Sequence, residues 1–183
     1  MSTLGFGVSG PHGTRFVRSA DTVRLVNEAY ALGVRLFDTA PFYGPEARAE
    51  GRLARALAAL PGPVTVSTKV GTRRLAGGRM GKDFSPEGIS AQARASRDRL
   101  CPGKALDLLF LHGPTPNQLT PAVVATLRGL QDAGVVRELG VAGRGTELQA
   151  ALTEPAFAWL MCPVGPSLAV VLAKAADQGV GVL

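Results

Sequence analysis

The stretch VRLFDTAPFYG, residues 34–44, starts as an apolar run fit for the middle of a buried sheet, then breaks into Asp38 and sets Tyr43 beside Gly44. A core strand ending on a carboxylate has an ordinary reading, because Asp starts turns and caps helices. It has a chemical reading if other strands end in the same way. Five further runs can be set against it: VTVSTK (64–69), LDLLFLH (106–112), VRELGVAG (136–143), AWLMCPV (158–164) and GVGVL (179–183). Several are apolar at successive positions rather than alternating, the pattern of strands buried on both faces.

Amphipathic stretches separate these runs, with ends that can be read. Ser19 precedes ADTVRLVNEAYAL, which stops at Gly33. Ser85, with Pro86 and Glu87 behind it, and Thr120, with Pro121 behind it, are N-cap starts; Gly134 and Gly179 are stops. Strand–helix–strand with short links means right-handed crossovers and a parallel sheet, closed as a barrel or left open and doubly wound. GFGVSG (5–10) matches the dinucleotide glycine pattern but has only four residues before it and Pro11, His12 and Gly13 after it. The strand before and helix after that the mechanism needs are missing, so this motif carries no nucleotide fold.

Strand ends favour the barrel. The first three runs close on Asp38, Lys69 and His112. In a parallel barrel all strand C-termini share one face, where active sites are built, and Tyr43 on the following loop would reach over the same mouth. Taken singly, Asp38 reads as a turn former, Lys69 as a snorkelling side chain and His112 as a hydrogen-bonded loop residue. Together they suit one task. A free Tyr, with a pKa of about 10, is a poor proton carrier near neutrality, and a buried cation such as Lys69 would lower that value. Asp38 would keep the ammonium from being buried alone, and His112 would bind a substrate oxygen. That is a general-acid site for a carbonyl becoming an alcohol.

At 183 residues the chain is long enough for one domain, spanning 1–183, and 46% hydrophobic against 19% charged residues argues against disorder. No apolar run approaches the roughly 20 residues of a membrane span, and MSTLGFGVSG lacks the charged and apolar regions of a signal peptide. Cys101 and Cys162 have no partner spacing, which suggests neither disulfide nor metal and fits a reducing cytoplasm. The net charge of +6 is scattered over helical stretches such as ARAEGRLARAL and AQARASRDRL, a solvated bias rather than a nucleic-acid surface. One cluster, Arg73, Arg74, Arg79 and Lys82 in GTRRLAGGRMGKDF, reads as a mobile polar loop or as a lure for an anion.

FDTAPFYG, VSTKVG and LDLLFLHGP, with LGFGVSG and AGVVRELGVAG, resemble the strand-end motifs of the aldo-keto reductases, and STKVG…DFSPEGI is similar to the sugar and aldose dehydrogenase branch. The resemblance runs from about residue 4 to the end. It implies a TIM barrel, here a partial barrel of about six β/α units with a short N-terminal β segment near residues 4–9. It implies an NAD(P)-dependent oxidoreductase acting on a small carbonyl or sugar, with NADP(H) ahead of NAD(H). Tyr43 would be the proton donor, Lys69 its partner, Asp38 the partner of Lys69 and His112 the orienting group, with Gly7 and Val8 backbone, and Asp38, near the nicotinamide ribose.

Three departures stand out. Ala142 and Gly143 replace the family's Ser-Asn pair that holds the carboxamide, and Met161 or Cys162 stands in the region of its glutamine. The chain stops near GVGVL, short of the family's last two units, which hold most of the adenosine phosphate and pyrophosphate. Cofactor binding is therefore expected to be weak, and the open edges are expected to be covered by a second copy or by further chain. A non-catalytic barrel serving binding or assembly is the alternative; a Schiff-base lyase through Lys69 is a third reading, opposed by Asp38.

Overall fold

Each apolar run is a strand in the computed structural model, which describes residues 4–183. Seven strands make one parallel sheet in sequential order: β1 (Gly5–Gly7), β2 (Leu36–Asp38), β3 (Thr65–Val70), β6 (Leu106–His112), β7 (Val136–Ala142), β8 (Trp159–Met161) and β9 (Gly181–Val182). The small hairpin β4 (Thr72–Arg74) and β5 (Met80–Lys82) stands apart as a second, antiparallel sheet. The short N-terminal segment is a full member of the main sheet, its Gly5, Phe6 and Gly7 paired with Leu36, Phe37 and Asp38. The sheet therefore has seven strands, the six runs and the short N-terminal segment, with β1 and β9 at its two ends.

Six helices lie between the strands: α1 (Ser19–Ala31), α2 (Arg48–Leu57), α3 (Pro86–Leu100), α4 (Pro121–Asp132), α5 (Thr146–Ala151) and α6 (Ala169–Asp177). The caps at Ser85 and Thr120 form as their sequence suggests: Gly88 N–H donates to Ser85 Oγ (3.1 Å) and Val123 N–H to Thr120 Oγ1 (3.3 Å). Ser19 differs. It is the first helical residue rather than the cap, and its hydroxyl accepts a hydrogen bond from Arg55 of α2.

Period-2 alternation divides the sheet into two faces. Phe37, Val66, Val70, Leu109, Leu111, Leu139, Val141 and Leu160 belong to the larger core, together with buried apolar residues of every helix. Leu36, Leu108, Phe110 and Ala142 form a second core, joined by Trp159, Met161 and Leu183, that contains no helical residue. All helices thus cover one face, and the other is turned inward. A doubly wound sheet would carry helices on both faces and reverse its strand order; this is the curled sheet of a partial barrel. A buried bridge ties its outer layer: fully buried Glu50 of α2 accepts from Thr68 Oγ1 of β3 (2.7 Å) and pairs with Arg99 of α3.

Large and small residues alternate inside the barrel. Phe110 lies over Gly140, where an added Cβ would sit 2.5 Å from both the Phe110 ring and the Trp159 carbonyl oxygen. Gly140→Ala should therefore cost about 1–3 kcal/mol by overpacking, seen as a lower urea midpoint with an unchanged slope.

Candidate active site

Sheet parity sets three of the four polar residues on the inner face. Asp38 is two positions on from Leu36 and opposite Ser67; Lys69 is two on from Ser67 and opposite Phe110; His112 is two on from Phe110 and opposite Ala142. All stand at C-terminal strand ends. Tyr43 is held by its loop: its N–H donates to the Ala40 carbonyl and its carbonyl accepts from Ala49 N–H, both at 3.1 Å. Gly44, at φ +90°, lies so close to Gly13 that a Cβ would come within 2.1 Å of the Gly13 oxygen. Glu46 and Ala47 then both take left-handed backbone (φ 54° and 52°), a local strain that the surrounding contacts must hold in place.

The four side chains meet at one mouth. Lys69, only 3% exposed, donates to Asp38 Oδ2 (2.5 Å) and to the Thr39 carbonyl (3.0 Å), while Ser67 Oγ donates to Asp38 Oδ1 (2.7 Å). The Lys69 ammonium also lies 5.4 Å from the Tyr43 ring centroid. Phe42 wedges between Tyr43 (centroids 4.5 Å, edge-on) and His112 (4.7 Å, stacked). Tyr43, Lys69 and His112 line a cleft of about 420 Å³ with Gly113, Ala142, Gly143, Arg144, Glu147, Met161, Cys162 and Pro163. A larger depression of about 800 Å³ lies on α1, far from these groups, and holds no comparable chemistry.

The proton chemistry differs from the expectation in one respect. Lys69 does not lower the Tyr43 pKa; burial and the Asp38 carboxylate push it up to about 12. The reason is the pairing: the ammonium is bonded to Asp38, which offsets its charge at the phenol. His112 moves the other way, down to about 4, through burial and the nearby ammoniums of Lys82 and Lys69. At neutral pH the mouth therefore holds a protonated phenol and an uncharged imidazole.

Several participants carried no sequence signal of their own. Phe42 was only the neighbour of a tyrosine; Ser67 could have been found from its place two residues before Lys69. The cationic stretch around residues 73–82 is a hairpin over the mouth rather than a loose loop. Arg73 pairs with Asp83 (3.5 Å), Arg74 donates to the Phe42 carbonyl (3.2 Å), and Lys82 donates to Thr72 Oγ1 (2.9 Å) and the His112 carbonyl (2.5 Å). Three of the four charges, those of Arg73, Arg74 and Lys82, are thus occupied, which weakens the anion reading.

Gly7 and Val8 are not among the cleft-lining residues. Val8 is fully buried, its N–H donating to the Asp38 carbonyl (2.8 Å) and its carbonyl accepting from Thr39 Oγ1 (3.0 Å). Ala142, Gly143, Met161 and Cys162 offer the cleft no side-chain amide or hydroxyl, and the Gly143 N–H is spent on the Met161 carbonyl (2.9 Å). These residues do not fit a firmly held nicotinamide carboxamide. Among the described residues no three His, Cys, Asp or Glu gather as metal ligands, and no helix is long and apolar enough to cross a membrane.

A partial parallel barrel with a tyrosine, a histidine and a lysine–aspartate pair at its strand ends defines a class of β/α-barrel with an acid–base mouth. The chain belongs to the aldo/keto reductase family, whose model matches residues 3–171. It is 33% identical over 151 residues to L-galactose dehydrogenase of Arabidopsis thaliana (78% of this chain, 45% of that one). It is 31% identical over 177 residues to D-threo-aldose 1-dehydrogenase of a Pseudomonas species (84% and 52%). An aldo-keto reductase of Bacillus halodurans, in its holo form, superposes with a TM-score of 0.86 at 24% identity, over 98% of this chain and 60% of its own. The chain spans about half the length of the curated relatives it matches.

Two outcomes follow from the charges. Asp38→Asn removes the anion beside the phenol and frees the ammonium, so the Tyr43 pKa should fall from about 12 while burial still holds it up, measured by absorbance titration in a Tyr30→Phe background. For His112, the unfolded chain binds more protons than the folded one between its lowered value of about 4 and the ordinary 6.5. Stability should thus rise with pH across that window and fall as pH drops through it. Denaturant midpoints should show a shallower slope in His112→Gln.

Proposed function

We propose that this mouth performs the proton-transfer half of a carbonyl–alcohol interconversion, as part of an oxidoreductase that takes an aldehyde or an aldose-type sugar. The observation that carries the reading is the convergence of a phenol held protonated and a neutral imidazole over a buried lysine–aspartate pair. Tyr43 gives its proton to the substrate oxygen as that atom gains electrons, His112 hydrogen-bonds and orients the same oxygen, and Asp38 keeps Lys69 in place beside the phenol ring. A phenol with a raised pKa stays protonated but is a weaker acid than free tyrosine, so Tyr43 donates only as negative charge builds on the substrate oxygen. The family resemblance supports NADP(H) ahead of NAD(H) as the hydride source, and the sugar dehydrogenases among the relatives support the substrate class.

The lining around Ala142 and Gly143 supports a second reading, a non-catalytic barrel for binding or assembly, in which a second copy covers the edges of β1 and β9. Titration with reduced cofactor, followed by its fluorescence, separates the two: binding supports the oxidoreductase and its complete absence supports the assembly module. The 183-residue chain should bind weakly and turn over aldehydes slowly, and a chain extended through the remainder of an eight-strand barrel should do both better. In whichever form is active, Tyr43→Phe should lower turnover by about 10²–10⁴-fold with cofactor binding nearly unchanged. Undiminished turnover would reduce Tyr43 to a loop residue.

A further inference from the structure

The hairpin places a second lysine against the strand-end histidine, with a hydroxyl between them. Lys82 Nζ stands 2.9 Å from Thr72 Oγ1 and 2.5 Å from the His112 carbonyl oxygen, and Thr72 Oγ1 stands 3.0 Å from His112 Nδ1. Thr72 is nearly buried, and the residue after His112 is Gly113, where an added Cβ would come within 3.3 Å of Lys82 Nζ. Phe42 stacks on the imidazole face, so the ring is held by its plane as well as by one edge. His112 Nε2 has no hydrogen-bond partner among the described residues, and the ring lines the cleft.

An ammonium has no lone pair, so Lys82 can only donate to Thr72 Oγ1. The hydroxyl then has one proton to give. Its two acceptors are His112 Nδ1 at 3.0 Å and the His112 carbonyl at 3.4 Å. The shorter contact is within normal hydrogen-bond distance and the longer is at the weak margin; the carbonyl already receives Lys82. An ammonium bound to the hydroxyl oxygen also polarises its O–H, which strengthens donation onward to Nδ1. A proton on Nδ1 would instead point its positive end at an oxygen that already carries a cation.

We propose that Lys82 and Thr72 form a relay that locks His112 as the neutral Nε2–H tautomer, making its cleft-facing nitrogen a fixed donor to the substrate oxygen. Lys82 and Thr72 are positioning residues: they act through the imidazole and touch no reacting atom. The role of that donor rests on the proton-transfer reading given above; the tautomer itself does not. The hairpin thereby has a function that its length and charge do not announce, and the burial and cationic neighbours that push His112 down to about 4 keep the ring uncharged for it.

Nitrogen-15 NMR of the imidazoles reads the tautomer directly in the intact chain, with no substrate or cofactor. The chain has two histidines, and a His12→Gln variant assigns the signals. Wild type should show an unprotonated Nδ1 and a protonated Nε2 for His112. Lys82→Met and Thr72→Val should each convert this to a mixture of tautomers, while Lys82→Arg, which keeps a cationic donor, should retain the wild-type pattern. Backbone amide spectra confirm that each variant is folded; should Thr72→Val unfold, the Lys82 pair carries the test. A protonated Nδ1 in wild type, or a tautomer ratio unmoved in folded Lys82→Met, overturns the relay. Failure of the oxidoreductase reading would show as absent turnover with this NMR pattern intact, so the two failures are distinguishable.

Discussion

The contact between Lys69 and Asp38 is the constraint on which the rest of the site depends. An ammonium with 3% of its side chain exposed is intolerable alone, because desolvation of a charge costs several kcal/mol unless an opposite charge and hydrogen bonds replace water. Asp38 supplies the charge, the Thr39 carbonyl a second acceptor, and Ser67 saturates the far oxygen of the carboxylate. These groups belong to adjacent parallel strands in register, so the pair also sews β2 to β3 at the rim. The same neutralisation has a consequence for the phenol. A lysine spent on its own aspartate cannot draw the tyrosine's proton off, and Tyr43 is left as a strong holder of its proton.

Around that pair the barrel separates two jobs by strand parity. Outward residues bury against helices and supply cohesion; the inward residues Asp38, Lys69 and His112 put polar groups at C-terminal strand ends. Phe110 and Trp159 fill the lower interior over Gly140 and Gly181, where no side chain would fit. The mouth is thus floored by aromatic packing, and its charged groups sit on a rigid base rather than on loops alone. Rigidity of this kind is what acid–base geometry needs, since a proton donor is useful only within hydrogen-bond reach of its acceptor.

The cleft is uneven. One wall carries a complete set of proton-handling groups; the opposite wall, from Ala142 to Cys162, presents apolar side chains and backbone apart from Arg144 and Glu147. Proton transfer and cofactor retention are separate demands, and the described residues meet the first far better than the second. Arg144 and Glu147 are the charged side chains of that wall, and Glu147 is drawn into capping α5 through the Arg144 and Gly145 amides.

Much of this was legible in the sequence by itself. Continuous apolar runs ending on Asp38, Lys69 and His112, separated by capped helices, dictate parallel strands with a polar rim, because burial on both faces and the period of two are local properties of the chain. The hairpin at 72–82 was not legible: glycine and arginine there suggested a loose loop, and only the packing of Lys82 and Thr72 against a histidine far along the chain makes it ordered. Nor was the membership of β1 in the sheet, since Gly5–Gly7 has almost no side-chain pattern and is a strand because β2 pairs with it. The direction of the Tyr43 shift was likewise decided by tertiary structure. Residue types say that a cation and an anion lie near a phenol; only their distances and orientations say which one the phenol feels.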